Sequence, residues 1–178
     1  MLPKKLFLLN TMMAGLLLVG PVLAVEPKLP RPLADVSIDT PGANRIRVIQ
    51  SKGSTRVIAI LASTCAHCVN LMETLNKLER QYRARNVKFM GALVDEEAAK
   101  QLPNFIGRTN PSFPVGTLSQ DATRRLADFG MADHPFVPIL LIVDGNNMVR
   151  FQFSGDQAIF TNSTEATIKN LLEVMLKK

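Results

Sequence analysis

The chain has 178 residues, 47% of them hydrophobic, enough to bury one sizeable core and too few for two comfortable domains. Its formal charge of +6 is mild, and basic residues such as Lys77, Arg80, Arg83, Arg85, Arg124 and Arg125 are interleaved with acids on helix-like stretches. That pattern reads as a solvated surface and excludes a nucleic-acid footprint. The two cysteines, Cys65 and Cys68, are too few and too close together to staple an exported scaffold.

Residues 1–24 have the order of an export signal: Lys4 and Lys5, then an apolar stretch from Leu6 to Gly20, then Val22-Leu23-Ala24 as a small-residue cleavage site. Leu6 to Val25 is also just long enough to cross a bilayer as an uncleaved anchor, but Asn10, Thr11, Gly15, Gly20 and Pro21 favour cleavage. The segment contains no cysteine for lipid attachment. Removing it lowers the formal charge to +4 by loss of Lys4 and Lys5 from the total of +6. The expected location is periplasmic or otherwise extracytoplasmic.

Residues 25–44, with Pro27, Pro30, Pro32, Pro41 and Gly42, lack sustained periodicity and predict an irregular lead-in. From Arg45 the chain alternates strand-like and helix-like segments, the pattern of an α/β layering. Arg45 to Gln50 reads as a half-buried strand and Arg56 to Ala62 (RVIAILA) as a central one. Beyond it Cys68, Leu71, Met72, Leu75, Leu78 and Tyr82 recur at steps of three or four, predicting a helix that begins near Cys65. Val87 to Val94 is a second buried strand, and Asp95 to Gly107 a helix disturbed by Pro103. A short strand is expected at Phe113 to Val115. A helix over Ser119 to Phe129 is expected to be capped by Ser119 and stopped by Gly130. Val137 to Asp144 reads as a buried strand, 145–147 as a turn, Met148 to Phe153 as an outer hairpin strand and Thr164 to Lys178 as a closing amphipathic helix.

The run Ser63-Thr64-Cys65-Ala66-His67-Cys68 thus falls between a buried strand and a helix N-terminus. There, partial positive charge and unpaired N–H groups favour a thiolate on Cys65, the attacking species of thiol–disulfide exchange. Cys68, one turn on, faces the protein body and would resolve the mixed disulfide; run backward, the same steps oxidise a dithiol. His67, in the Ala66-His67 pair, is either a modulator that favours the thiolate or an exposed helix residue.

Strand RVIAILA, the motif STCAHC, a helix, a strand, and Val137-Pro138 opening a strand and hairpin together resemble the thioredoxin-like superfamily, especially its exported TlpA-like and ResA-like branch, over residues 45–178. The resemblance implies a central mixed β-sheet flanked by helices, with an extra strand and helix between the first βαβ unit and the strand that Pro138 opens. It implies a redox-active Cys65–Cys68 disulfide, a cis bond before Pro138, and substrate hydrogen bonds at the Val137 backbone. No cofactor is implied. A reductant of disulfides in exported proteins, apocytochrome c among them, would need a membrane electron donor of the DsbD-like or CcdA-like kind; an oxidase or isomerase would need a DsbB-like acceptor.

Several positions depart from the pattern. Thr64 stands where many relatives have Trp, and Ala59 where thioredoxins carry a buried acid that assists proton transfer. Ala66-His67 and Val137 resemble the DsbA-like positions more closely, yet the stretch between Cys68 and Pro138 is too short for the DsbA-like helical insert. Of other classes, zinc would require Cys65, Cys68, His67 and His134 to converge. A Sco-like copper chaperone would use His134 with the cysteines but spaces those by three residues, so no metal is expected. Val69 in place of a His after Cys68 excludes covalent haem attachment, and Ala62 in place of a Thr argues against a peroxiredoxin-like site.

Overall fold

The computed structural model describes residues 27–42, 44–49, 53–130, 136–155, 157–161 and 163–177. Twelve elements follow in chain order: β1 Arg31–Pro32, β2 Ser37–Thr40, β3 Asn44–Arg47, β4 Thr55–Leu61, α1 Ala66–Tyr82, β5 Val87–Leu93, α2 Ala98–Thr109, β6 Val115–Thr117, α3 Gln120–Ala127, β7 Ile139–Val143, β8 Met148–Phe153 and α4 Thr164–Leu176. One mixed sheet runs β1-β8-β7-β4-β5-β6-β2-β3. Its centre is parallel, β4 against β5 and β5 against β6, and β7 and β8 add antiparallel strands on the far side of β4. This is the thioredoxin-like α/β arrangement, with α2 and β6 as the addition after the β4-α1-β5 unit.

Both faces of the sheet are covered, which is why β7 is apolar throughout and β4 is apolar from Val57 to Leu61. On one face Val57, Ala59 and Leu61 of β4 meet Leu71 and Leu75 of α1, Phe105 of α2, and Ile168 and Leu172 of α4. On the other, Ile58 and Ile60 pack with Leu126 and Ala122 of α3 and with Leu33, Val36, Ile38 and Val48.

Those last residues correct the irregular lead-in. β1 pairs with β8 at one edge of the sheet, while β2 forms a hairpin with β3 and bridges β6 at the other. Proline is tolerated there because an edge strand leaves one row of amides unpaired, and the buried residues lie too far apart to draw a period. The strand expected over 45–50 is the short edge strand β3, and the buried residue is Val48, just beyond its end.

Smaller differences have local causes. α2 carries Pro103 in its interior and continues to Thr109, where Asn110 in the left-handed region ends it. α3 stops at Asp128 (φ 57°), before Gly130 is reached. The strand placed at 113–115 is Val115–Thr117, because Phe113 turns inward against the Phe89 ring, 5.9 Å between centroids.

Beneath the sheet the Arg56 side chain is fully buried. It donates to the Val48 carbonyl (2.8 Å), the Asp144 carbonyl (2.7 Å) and Asn147 Oδ1 (2.7 Å), tying the β2–β3 region to the β7–β8 turn. An Arg56→Met variant should lose about 2–4 kcal/mol, since the accepting oxygens stay buried without a donor. In urea the midpoint should fall with the slope unchanged, and an unaltered midpoint would remove Arg56 from the stability account.

Candidate active site

β4 and β5 are parallel and in register, Leu61 beside Leu93, so the loops leaving their C-terminal ends lie side by side. Such loops are where α/β sheets place chemistry. The loop after β4 is Ala62-Ser63-Thr64, and Cys65 follows as the N-cap of α1 in extended conformation (φ −81°, ψ 115°). Cys65 Sγ occupies the cap position that a Ser or Asp oxygen usually fills and accepts the Cys68 backbone N–H at 3.1 Å. The sulfur therefore sits on the first-turn amides, where negative charge is favoured.

The two thiols are unequally placed. Cys65 is partly exposed and Cys68 completely buried, both as free cysteines. Burial pushes the Cys68 thiol up, the hydrogen bond with Cys65 adds to the rise, and the charges of Cys65 and Asp95 act in the same direction. The Ala62 N–H, 3.5 Å from Cys68 Sγ, works against these by stabilising the thiolate.

Val137 and Pro138 come to the site from the loop before β7. The bond between them is cis, Pro138 is buried, and the Val137 carbonyl lies 3.8 Å from Cys65 Sγ, which donates to it. Phe136 precedes them, 68% exposed. Ala66 and His67 are both exposed on the first turn of α1, and Ala59 is buried within β4. The structure thus brings Cys65, Cys68, Val137 and Pro138 together and leaves His67 facing solvent. His134 lies outside the described residues; among those described, no group of three His, Cys, Asp or Glu side chains could hold a metal ion.

Three residues absent from the sequence-based site join it here. Asp95 accepts the Ser63 N–H at 2.6 Å and the Ser63 hydroxyl at 3.2 Å, and Arg108 of α2 donates to the Ser63 carbonyl at 2.6 Å. Asp95 ends the loop-side continuation of β5 as Ser63 does that of β4, so the β4–β5 register was the signal that could have paired them.

The Redoxin family model matches residues 32–172. No curated protein matches the sequence. Among solved structures, one designated thiol:disulfide interchange protein DsbE from Chlorobium tepidum superposes with a TM-score of 0.70 at 16% identity, covering 83% of this chain and 96% of that one. A thioredoxin family protein from Chlorobium tepidum TLS, designated a thiol:disulfide interchange protein, gives 0.68 at 16% identity over 84% and 99%. A thiol:disulfide interchange protein from a Bacteroides species gives 0.68 at 12% over 86% and 93%. At these identities the structural likeness speaks for the fold. The family match covers most of the chain, with the cysteine pair inside it: the chain belongs to the Redoxin family and is a thioredoxin-like oxidoreductase.

Proposed function

We propose that the protein is an exported thiol–disulfide oxidoreductase working through Cys65 and Cys68, and that it reduces disulfides in exported proteins, cysteines of apocytochrome c among the candidates. The observation that carries the reading is the asymmetry of the pair: a partly exposed sulfur capping α1, with a buried thiol behind it. Cys65 attacks a substrate disulfide, the Val137 backbone beside the cis bond lines the place the substrate chain would occupy, and Cys68 releases the reduced product. Residues 1–24, outside the described residues, act in this reading as the export signal and are removed. Among the described residues no helix is long and apolar enough to cross a membrane. The interchange proteins of similar fold support the disulfide chemistry, and a DsbD-like or CcdA-like membrane donor would return the pair to the dithiol state.

The exposed His67 between the cysteines favours a second reading, a DsbA-like oxidase or isomerase served by a DsbB-like acceptor. Equilibration of the protein with glutathione buffers separates the two. A reductant should show a potential near that of thioredoxin, about −270 mV, whereas a value near that of DsbA, about −120 mV, would overturn the reductant reading.

A further inference from the structure

Cys68 cannot attack a mixed disulfide as a thiol. It must first lose a proton, and its side chain has no exposure to solvent through which water could take it. The carboxylate of Asp95 stands at the edge of the same region, half-buried and so in contact with solvent. Both of its oxygens are held by Ser63, on the N–H at 2.6 Å and the hydroxyl at 3.2 Å, and Arg108 fixes the same residue from α2 through its carbonyl. Ser63 is followed back along the chain by Ala62, whose N–H lies on Cys68 Sγ at 3.5 Å, so the clamp and the buried sulfur share one short loop.

We propose that Asp95 receives the proton of Cys68 in the resolving step, and through Ser63 positions the loop whose Ala62 N–H meets the sulfur. The inference rests on the exchange mechanism proposed above. In the step, the Cys68 S–H bond breaks and its proton passes to the Asp95 carboxylate. The sulfur's electron pair forms the bond to Cys65 Sγ, and the bond between Cys65 and the substrate sulfur breaks with its pair leaving on the substrate. The cysteine pair is oxidised by two electrons and the substrate disulfide reduced by two; the substrate thiolate takes up a proton from Asp95 or from water.

The charges around Cys68 favour Asp95 over bulk water as the acceptor of this proton. Cys65 faces it from the cap of α1, and Asp95 from the loop after β5. Arg108 reaches the loop from α2, and His67 lies exposed on the first turn of α1. A thiolate formed beside an ionised Asp95 would place two negative charges close together in a poorly solvated region; moving the proton onto Asp95 leaves one. The position thereby supplies an acid that Ala59, inside β4, does not.

The reduced protein mixed with dithiobis(nitrobenzoate) releases one thionitrobenzoate when Cys65 attacks and a second when Cys68 displaces the first adduct. Asp95→Asn keeps an acceptor for the Ser63 N–H and removes the charge. Relative to the first phase, its second phase should slow about tenfold or more at neutral pH. The deficit should close as pH rises and Cys68 ionises without the carboxylate's help. A second phase that is unchanged or faster, or equally slowed at every pH, would overturn the proposal. Asp95→Ser removes the same charge with a different side chain and must give the same pH pattern should the Asn variant not fold. If the unaltered protein releases no second equivalent, the exchange mechanism itself fails, a result distinct from an Asp95 variant without effect.

Discussion

Cys68→Ala protein, incubated with a disulfide-containing protein extract, should hold covalent adducts on Cys65, while Cys65→Ala should hold essentially none. The reason is positional. Cys65 is the sulfur with access to solvent and with the Cys68 N–H on it at 3.1 Å, so attack and adduct formation belong to it. Cys68 is sealed behind it, and its thiol form is favoured by burial first and by the hydrogen bond to Cys65 second. The sign of the pH effect follows. A thiol pushed up remains protonated at neutral pH, so the fraction able to resolve the adduct grows as pH rises through the alkaline range. Adducts of the unaltered protein should therefore be longest-lived in mildly acidic buffer, and those of Cys68→Ala should be insensitive to pH over the same range. Non-reducing electrophoresis after acid quench reads both. Adducts retained equally by the two variants would mean that the cysteines do not divide the chemistry in this way.

The parts of the site legible in the sequence are those whose chemistry is local. A strand with a long apolar run, two cysteines one helical turn apart and a proline before another apolar run place Cys65, Cys68 and Pro138 at the heads of α1 and β7 without knowledge of the rest. The core-facing stripe of α1 was equally plain, because Leu71, Met72, Leu75, Leu78 and Tyr82 are all buried. By sequence Asp95 looks like the first residue of a helix, since only the register that sets Leu61 beside Leu93 carries it to Ser63. The lead-in hid two edge contributions, because β1 buries only Arg31 and β2 only Ile38, with Leu33 and Val36 buried between them, which draws no alternation long enough to see. Likewise, Asp128 ended α3 before Gly130 because a short polar side chain tolerates the left-handed region when its amide can bond back, here to the Arg124 carbonyl.

Gly155→Ala should damage both stability and exchange. A methyl at Gly155 would lie 2.4 Å from the Val137 carbonyl oxygen, 2.7 Å from its carbon and 3.1 Å from the Phe136 oxygen, all of them backbone atoms that no rotamer change can move aside. The Gly155 N–H also donates to the Phe136 carbonyl at 2.8 Å, so the segment before the cis bond is held against the end of β8. Relief requires the 136–137 backbone to shift, and that backbone carries the oxygen 3.8 Å from Cys65 Sγ. The expected loss is about 1–3 kcal/mol, with a fall in Tm of roughly 2–4 °C per kcal/mol. Gly116→Ala is the informative companion. Its methyl would lie 2.2 Å from the Asp39 oxygen, a backbone clash at least as severe, where β6 meets β2. That contact is on the opposite arm of the sheet from β7 and β8. Both variants should unfold earlier, but at a temperature where each is folded only Gly155→Ala should slow the release of thionitrobenzoate by Cys65. Equal rates in the two would show that the position of the Val137 carbonyl has no part in the chemistry of the cysteine pair.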